Sequence, residues 1–186
     1  MADRLDQILV IDLEATCWEG EPPPGQQSEI IEVGLCPLDV ATGERLDRIS
    51  ILVRPEWSAI SEYCTALTTL TAEELSDGVS LEAACRTLET RFLAKKRLWA
   101  SYGDYDRRMF EHDCQAHGVA YPFGHGHINV KSLLAVAHGL DRELRLDEAM
   151  AYLGFRLEGT HHRGGDDAWN IARILGHLLL HARESR

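Results

Sequence analysis

Ile8-Leu9-Val10-Ile11-Asp12-Leu13-Glu14-Ala15-Thr16 is an apolar run that closes on two carboxylates. Its length and branched aliphatic content are those of a buried strand. Side chains two residues apart on an extended strand point to the same face, so Asp12 and Glu14 lie side by side. Like charges at that spacing repel unless something positive sits between them. A divalent metal is the simplest such group, because a hard cation such as Mg²⁺ takes one or two carboxylates and leaves its other positions to water and substrate phosphate. The pair alone also suits a solvated strand edge, so its weight depends on what else converges on it.

Two further acidic clusters do. Leu98-Trp99-Ala100-Ser101-Tyr102 reads as a short buried strand that runs into Gly103-Asp104-Tyr105-Asp106-Arg107-Arg108-Met109-Phe110, where the period becomes helical. Asp104 has the place of a helix cap and Asp106 lies in the first turn, positions that capping and the helix dipole favour by themselves. The third cluster is His161-His162-Arg163-Gly164-Gly165-Asp166-Asp167, ahead of an amphipathic helix that Asp166 and Asp167 open. The two glycines permit a mobile or tightly turned loop that carries a histidine towards the same site.

Taken in order, Asp12 and Glu14, then Asp106, then His162 and Asp167 resemble the DEDDh branch of the 3′→5′ exonuclease superfamily, whose domain is often called ribonuclease T-like. The third motif of that family, His, four residues, Asp, Ala, is reproduced by His162-Arg163-Gly164-Gly165-Asp166-Asp167-Ala168. His161 and Asp166 have the same spacing, but Asp167 is the one followed by Ala. The second motif places an aromatic before the Asp and an apolar residue four after it, which selects Asp106, between Tyr105 and Phe110, over Asp104. The segments Glu14-Ala15-Thr16-Cys17-Trp18, Ser61-Glu62-Tyr63-Cys64-Thr65-Ala66-Leu67-Thr68-Thr69-Leu70-Thr71 and His127-Ile128-Asn129-Val130-Lys131 are similar to the histone-mRNA and enhanced-RNA-interference exonucleases. One departure is Thr69, where the family commonly has a Gly able to supply a positive φ.

The resemblance implies a ribonuclease H-like α/β fold: a mixed five-stranded sheet, an antiparallel meander of its first three strands, the first strand central, and flanking helices. It implies two divalent ions, Mg²⁺ or Mn²⁺, held by Asp12, Glu14, Asp106 and Asp167, with Asp12 bridging both and His162 as general base. Four carboxylates around one point can hold two ions about 3.5–4 Å apart, one for the attacking water and one for the leaving 3′ oxygen. Histidine suits the base role because its ordinary pKa of about 6.5 lets it take a proton near neutrality. Leu13, Ala15, Thr16, Trp18, Tyr63, Leu67, Thr68, Tyr105 and Lys131 are the substrate-binding residues expected on the same basis, the aromatics by stacking on bases.

From pattern alone, strands are expected at residues 8–13, 29–38, 46–53 and 98–101, and helices at 72–75, 81–94, 104–117, 130–137, 146–153 and 167–183. The 186 residues fit one catalytic domain spanning 1–186, without repeats or a low-complexity tract. Pro22-Pro23-Pro24-Gly25 reads as a stiff exposed loop. No apolar run is long enough for a membrane span and the N-terminus lacks a signal-peptide pattern, so a cytoplasmic protein is expected. Five scattered cysteines without a C-x-x-C pair suggest free thiols rather than zinc or disulfides, and His125-Gly126-His127 reads as a surface loop.

The net charge of −11 runs against a nucleic-acid substrate and needs an answer. Proteins that grip long nucleic acids are usually basic, and here the one basic triplet, Lys95-Lys96-Arg97, fits a solvated helix end. The acidic balance therefore leaves a grip on the last few nucleotides of a single-stranded end or short oligonucleotide, and the resemblance implies a 3′ end, RNA favoured. A single-stranded DNA exonuclease and a non-catalytic nucleic-acid-binding module are the alternatives.

Overall fold

The computed structural model describes residues 4–184. Strand β1 (Arg4–Ala15) is the centre of a five-stranded sheet completed by β2 (Ile30–Asp39), β3 (Ile49–Leu52), β4 (Arg97–Ser101) and β5 (His127–Asn129), in the order β3-β2-β1-β4-β5. β2 pairs antiparallel with β1 and with β3, whereas β4 runs parallel to both β1 and β5. The helices are α1 (Glu62–Thr68), α2 (Ala72–Ser76), α3 (Leu81–Arg91), α4 (Tyr105–Ala116), α5 (Val130–Ala137), α6 (Leu146–Tyr152) and α7 (Gly164–Glu184).

The alternation of β1 builds two cores. Leu9, Ile11, Leu13 and Ala15 enter one cluster with Leu88, Trp99 and Phe110. Ile8 and Val10 enter the other with Leu134, Met150, Ile171 and Leu175. Asp12 and Glu14 continue the parity of Ile8 and Val10, so the apolar face towards α5, α6 and α7 ends in carboxylates. α7 lies on this face because Ala168, Ile171, Ala172, Leu175 and Leu178 recur at helical spacing and are all buried.

The sheet and its antiparallel meander match expectation, and several boundaries move. β3 is confined to Ile49–Leu52, with Leu46 and Val53 held by isolated backbone bonds. α3 stops at Arg91, because Leu93 takes a left-handed φ of 56°. The expected surface loop at His125-Gly126-His127 is corrected: His127 begins β5, its Nε2 lies 2.9 Å from Ser101 Oγ, and its ring lies against Trp99. α1 is set by its Ser61 cap, whose hydroxyl accepts from the Cys64 amide. Thr69 ends α1 with φ 64°, the left-handed conformation that Gly adopts without a Cβ penalty.

Candidate active site

β1 and β4 are parallel neighbours that finish at the same edge of the sheet, and crevices at the carboxyl ends of such strands are where α/β folds bind ligands. A cleft of about 300 Å³ lies there. β1 contributes Asp12, Leu13, Glu14 and Ala15, the turn after β4 leads into α4 with Tyr105 and Asp106, and α7 contributes Asp167. The α6–α7 loop adds His161 and His162, and α1 adds Leu67.

α7 reaches the strand because glycines remove every side chain in between. A Cβ on Gly34 of β2 would meet the carbonyl carbon and oxygen of Gly164 at 1.9 Å, and one on Gly164 would meet the Asp12 oxygen at 3.0 Å. The glycines expected to permit a mobile or tightly turned loop instead form the first turn of α7, which starts at Gly164 rather than at Asp167. Glu32, fully buried on β2, fastens the same turn. It accepts from the Gly164 amide at 3.0 Å, from Arg163 Nε at 3.2 Å and from the Ser50 hydroxyl.

Asp12, Glu14 and Asp167 bring ligand oxygens within 4.8 Å of one another. Other buried acids are saturated by donors: Asp113 accepts from the Ile30 amide at 2.7 Å, and Glu29 from the amides of Glu56 and Trp57. Among the described residues no donor reaches the side chains of Asp12 or Glu14. Burial and then repulsion from Asp106, Glu14 and Asp167 hold Asp12 well above the usual carboxylate range. Burial, then Asp167, Glu32 and Asp106, push Glu14 up to about 8, with Arg163 opposing. Burial lifts Asp106 to about 6, offset by the Leu13 amide, which donates to Oδ1 at 3.0 Å. Anions held together without donors form a cation site, and an all-oxygen set suits a hard divalent ion.

Asp104 caps α4 by position only, makes no side-chain cap bond and pairs with Arg107 at 3.5 Å outside the cleft, while Asp106 is buried within it. The His162 amide donates to Asp167 Oδ2 at 2.9 Å, in a half-buried residue with φ 64°. Burial, then the neighbouring His161, lower the His162 pKa, with Asp167 opposing. His161 is more exposed; its Nδ1 sits 2.9 and 3.1 Å from the two Asp167 oxygens, and its ring stacks on that of His162.

The expected substrate-binding residues divide. Leu13, Ala15, Leu67 and Tyr105 line the cleft. Thr16 and Thr68 are fully buried and use their hydroxyls internally, Thr16 towards Gln27 and Glu29, Thr68 towards Cys64 and Leu70. Trp18 and Tyr63 stand outside the lining, and Lys131 lines an adjoining groove with Arg145, Tyr102 and Leu146. Pattern reading missed Cys17, Tyr102, Leu146 and His161. The first two follow the ends of β1 and β4, a position that itself signals a site.

This arrangement of strand-end acids and helix-borne acids agrees with comparison to known proteins. The RNase_T family model, described as Exonuclease, matches residues 9–175. The chain belongs to this exonuclease family. It is 31% identical over 192 residues to 3'-5' exoribonuclease 1 of Homo sapiens, covering 97% of this chain and 54% of that protein. It is 25% identical to the 3'-5' exonuclease Snipper of Drosophila melanogaster, over 90% of this chain and 67% of that protein. The chain thus spans about half the length of the exoribonuclease 1 proteins it matches. Among solved structures, the nuclease domain of 3'hExo, a DEDDh family member bound to rAMP, superposes with a TM-score of 0.85 at 29% identity, covering 97% of this chain and 95% of that one. A 3'-exonuclease in a structure of 3'-end recognition of a histone mRNA stem-loop gives 0.83 at 29% identity, covering 96% and 65%.

Proposed function

We propose that the chain is a metal-dependent 3′→5′ exonuclease that removes nucleoside 5′-monophosphates from single-stranded 3′ ends, RNA by preference. The observation that carries the reading is the donor-free set of Asp12 and Glu14 facing Asp167 and Asp106 in one cleft beside His162. The relatives named exoribonucleases support the choice of RNA.

Asp12, Glu14, Asp106 and Asp167 would hold two divalent ions, Mg²⁺ or Mn²⁺, which when bound supply charge neutralisation for an in-line phosphoryl displacement. The residues fit that role because their mutual repulsion is relieved only by positive charge. The chain's own groups supply the rest. His162 is the base that takes the proton of the attacking water, and burial keeps its ring neutral and receptive near pH 7. Tyr105, 57% exposed at the cleft edge, and Leu67 both line the cleft and offer surfaces for the terminal base. The Asp167 carboxylate accepts from the His162 amide and so fixes the backbone of the base beside the acids. Lys131 lies farther along, where the next phosphate would pass.

The test is a time course on 5′-labelled single-stranded RNA and DNA of one sequence, with Mn²⁺, Mg²⁺ or EDTA, resolved to single nucleotides. A metal-dependent ladder shortening from the 3′ end, faster on RNA, is the expected result. Binding without cleavage under every metal would leave a nucleic-acid-binding module.

A further inference from the structure

The cleft holds a second donor set that overlaps the all-oxygen one at Asp167 and adds two imidazoles. His161, His162 and Asp167 bring one ligand atom each within 4.8 Å of one another. His161 Nδ1 is already 2.9 Å from Asp167 Oδ2, and the two imidazoles stack with centroids 4.0 Å apart. His161 is exposed on a loop, and its ring would have to turn out of the stack for its nitrogen and that of His162 to meet on one ion. We infer that His161, His162 and Asp167 form an inhibitory site for a borderline transition-metal ion, Zn²⁺ above all.

Two imidazoles and a carboxylate with a fourth position open to water are a zinc donor set. Mg²⁺ by contrast keeps oxygen ligands and several waters. Nitrogen donors favour Zn²⁺ over Mn²⁺ in the ordinary affinity series. The two sites share Asp167, so a Zn²⁺ ion on the histidines withdraws an oxygen from the pair Asp12 and Glu14. It also occupies the lone pair of His162, the base. The inhibition therefore rests on the exonuclease reading, whereas the binding does not. His161 is the discriminating residue, since it belongs to the nitrogen set alone.

Co²⁺ reports the site by its visible absorption, strong for a four-coordinate nitrogen-containing set and weak for six oxygens. Titrated into the full chain, Co²⁺ is expected to give the strong band, which Zn²⁺ bleaches. The band should persist in Asp12→Asn, where the oxygen set is broken, and disappear in His161→Asn and His162→Asn. With Mg²⁺ fixed, the rates of the unaltered chain and of His161→Asn are each compared with their own zinc-free rate. Half-inhibition of His161→Asn should need at least about tenfold more Zn²⁺ than that of the unaltered chain, since losing even an outer-shell partner of a ligand costs about 10–100-fold in metal affinity. A band that survives His161→Asn or vanishes with Asp12→Asn overturns the inference. So does a His161→Asn that keeps its zinc sensitivity and instead needs more Mg²⁺, which would make His161 an orienting partner of Asp167. Absence of any cleavage with Mg²⁺ or Mn²⁺ would refute the exonuclease reading, and the Co²⁺ spectra would still decide the site.

Discussion

Glu14 and Asp12 bind protons more tightly folded than unfolded, and this makes their cost depend on pH. With Glu14 raised from 4.5 to about 8, the folded state carries the extra proton between those values. Stability contributed by that proton is present below the unfolded pKa and is lost as pH rises through the folded one. The metal-free protein should therefore melt lower at pH 8 than at pH 5. Mn²⁺ or Mg²⁺ at about 100 times its dissociation constant should restore about 2.7 kcal/mol, or about 5–10 °C for a chain of this size. Melting curves in EDTA and in Mn²⁺ at both pH values check it, and equal shifts at pH 5 and pH 8 would speak against the site. Lowering of the His162 pKa places the acid limb of the rate profile below about pH 6.5. Loss of the base in His162→Ala should lower kcat about 10²–10⁴-fold with the metal-induced melting shift kept. Thr69 is a residue whose consequence was legible in part: the departure from Gly is visible, but only the fold shows Thr69 taking φ 64° regardless. A β-branched residue there costs about 1–2 kcal/mol, so Thr69→Gly should raise stability by up to about 1 kcal/mol after the entropy of the added glycine. It also removes the long contact from Arg163 Nη1 to the Thr69 hydroxyl, 3.4 Å.

The elements that hold the site differ in how openly they announce themselves. β1, α4 and α7 carry long, strongly periodic patterns, and all five candidate catalytic residues lie on them or beside their ends. β5 has three residues and α1 seven, too short for periodicity to separate from loop, so the Ser61 cap and the pairing with β4 decide them instead. Nor does pattern reveal that Gly34 exists to receive Gly164, because the two are 130 residues apart and touch only after the sheet and helix have docked. That contact seats α7 on β2, and because Asp12 of β1 pairs directly with Gly34, it brings Asp167 and His162 to Asp12. Gly34→Ala puts a methyl where the Gly164 carbonyl stands. Overpacking of this kind costs about 1–3 kcal/mol, and here it also displaces the first turn of α7. A fall in melting temperature, together with a kcat loss larger than Thr69→Gly produces, is the expected outcome; full activity in a folded Gly34→Ala would show that α7 has more slack than the glycine contact allows.

On the scale of the whole molecule, an acidic chain must handle a polyanion. The net charge of −11 is answered locally rather than by a basic surface. The cleft lining contains no Lys or Arg among the described residues, and the adjoining groove supplies Lys131 and Arg145, each already facing an acid, Glu143 at 3.7 Å and Asp147 at 2.9 Å. On the proposed reading, affinity would come from the carboxylates once metal neutralises them and from stacking on Tyr105, both confined to the terminal nucleotide or two. Single-stranded binding releases counterions with a slope of about −0.7 per neutralised phosphate. Two groove cations therefore set a slope of log(kcat/KM) against log[salt] no steeper than about −1.5, for a 5-mer and a 30-mer alike. Measured at fixed free Mg²⁺, a slope that steepens with length would mean that a further surface grips the upstream strand. A shallow, length-independent slope would mean that the enzyme recognises an end and ignores the chain behind it.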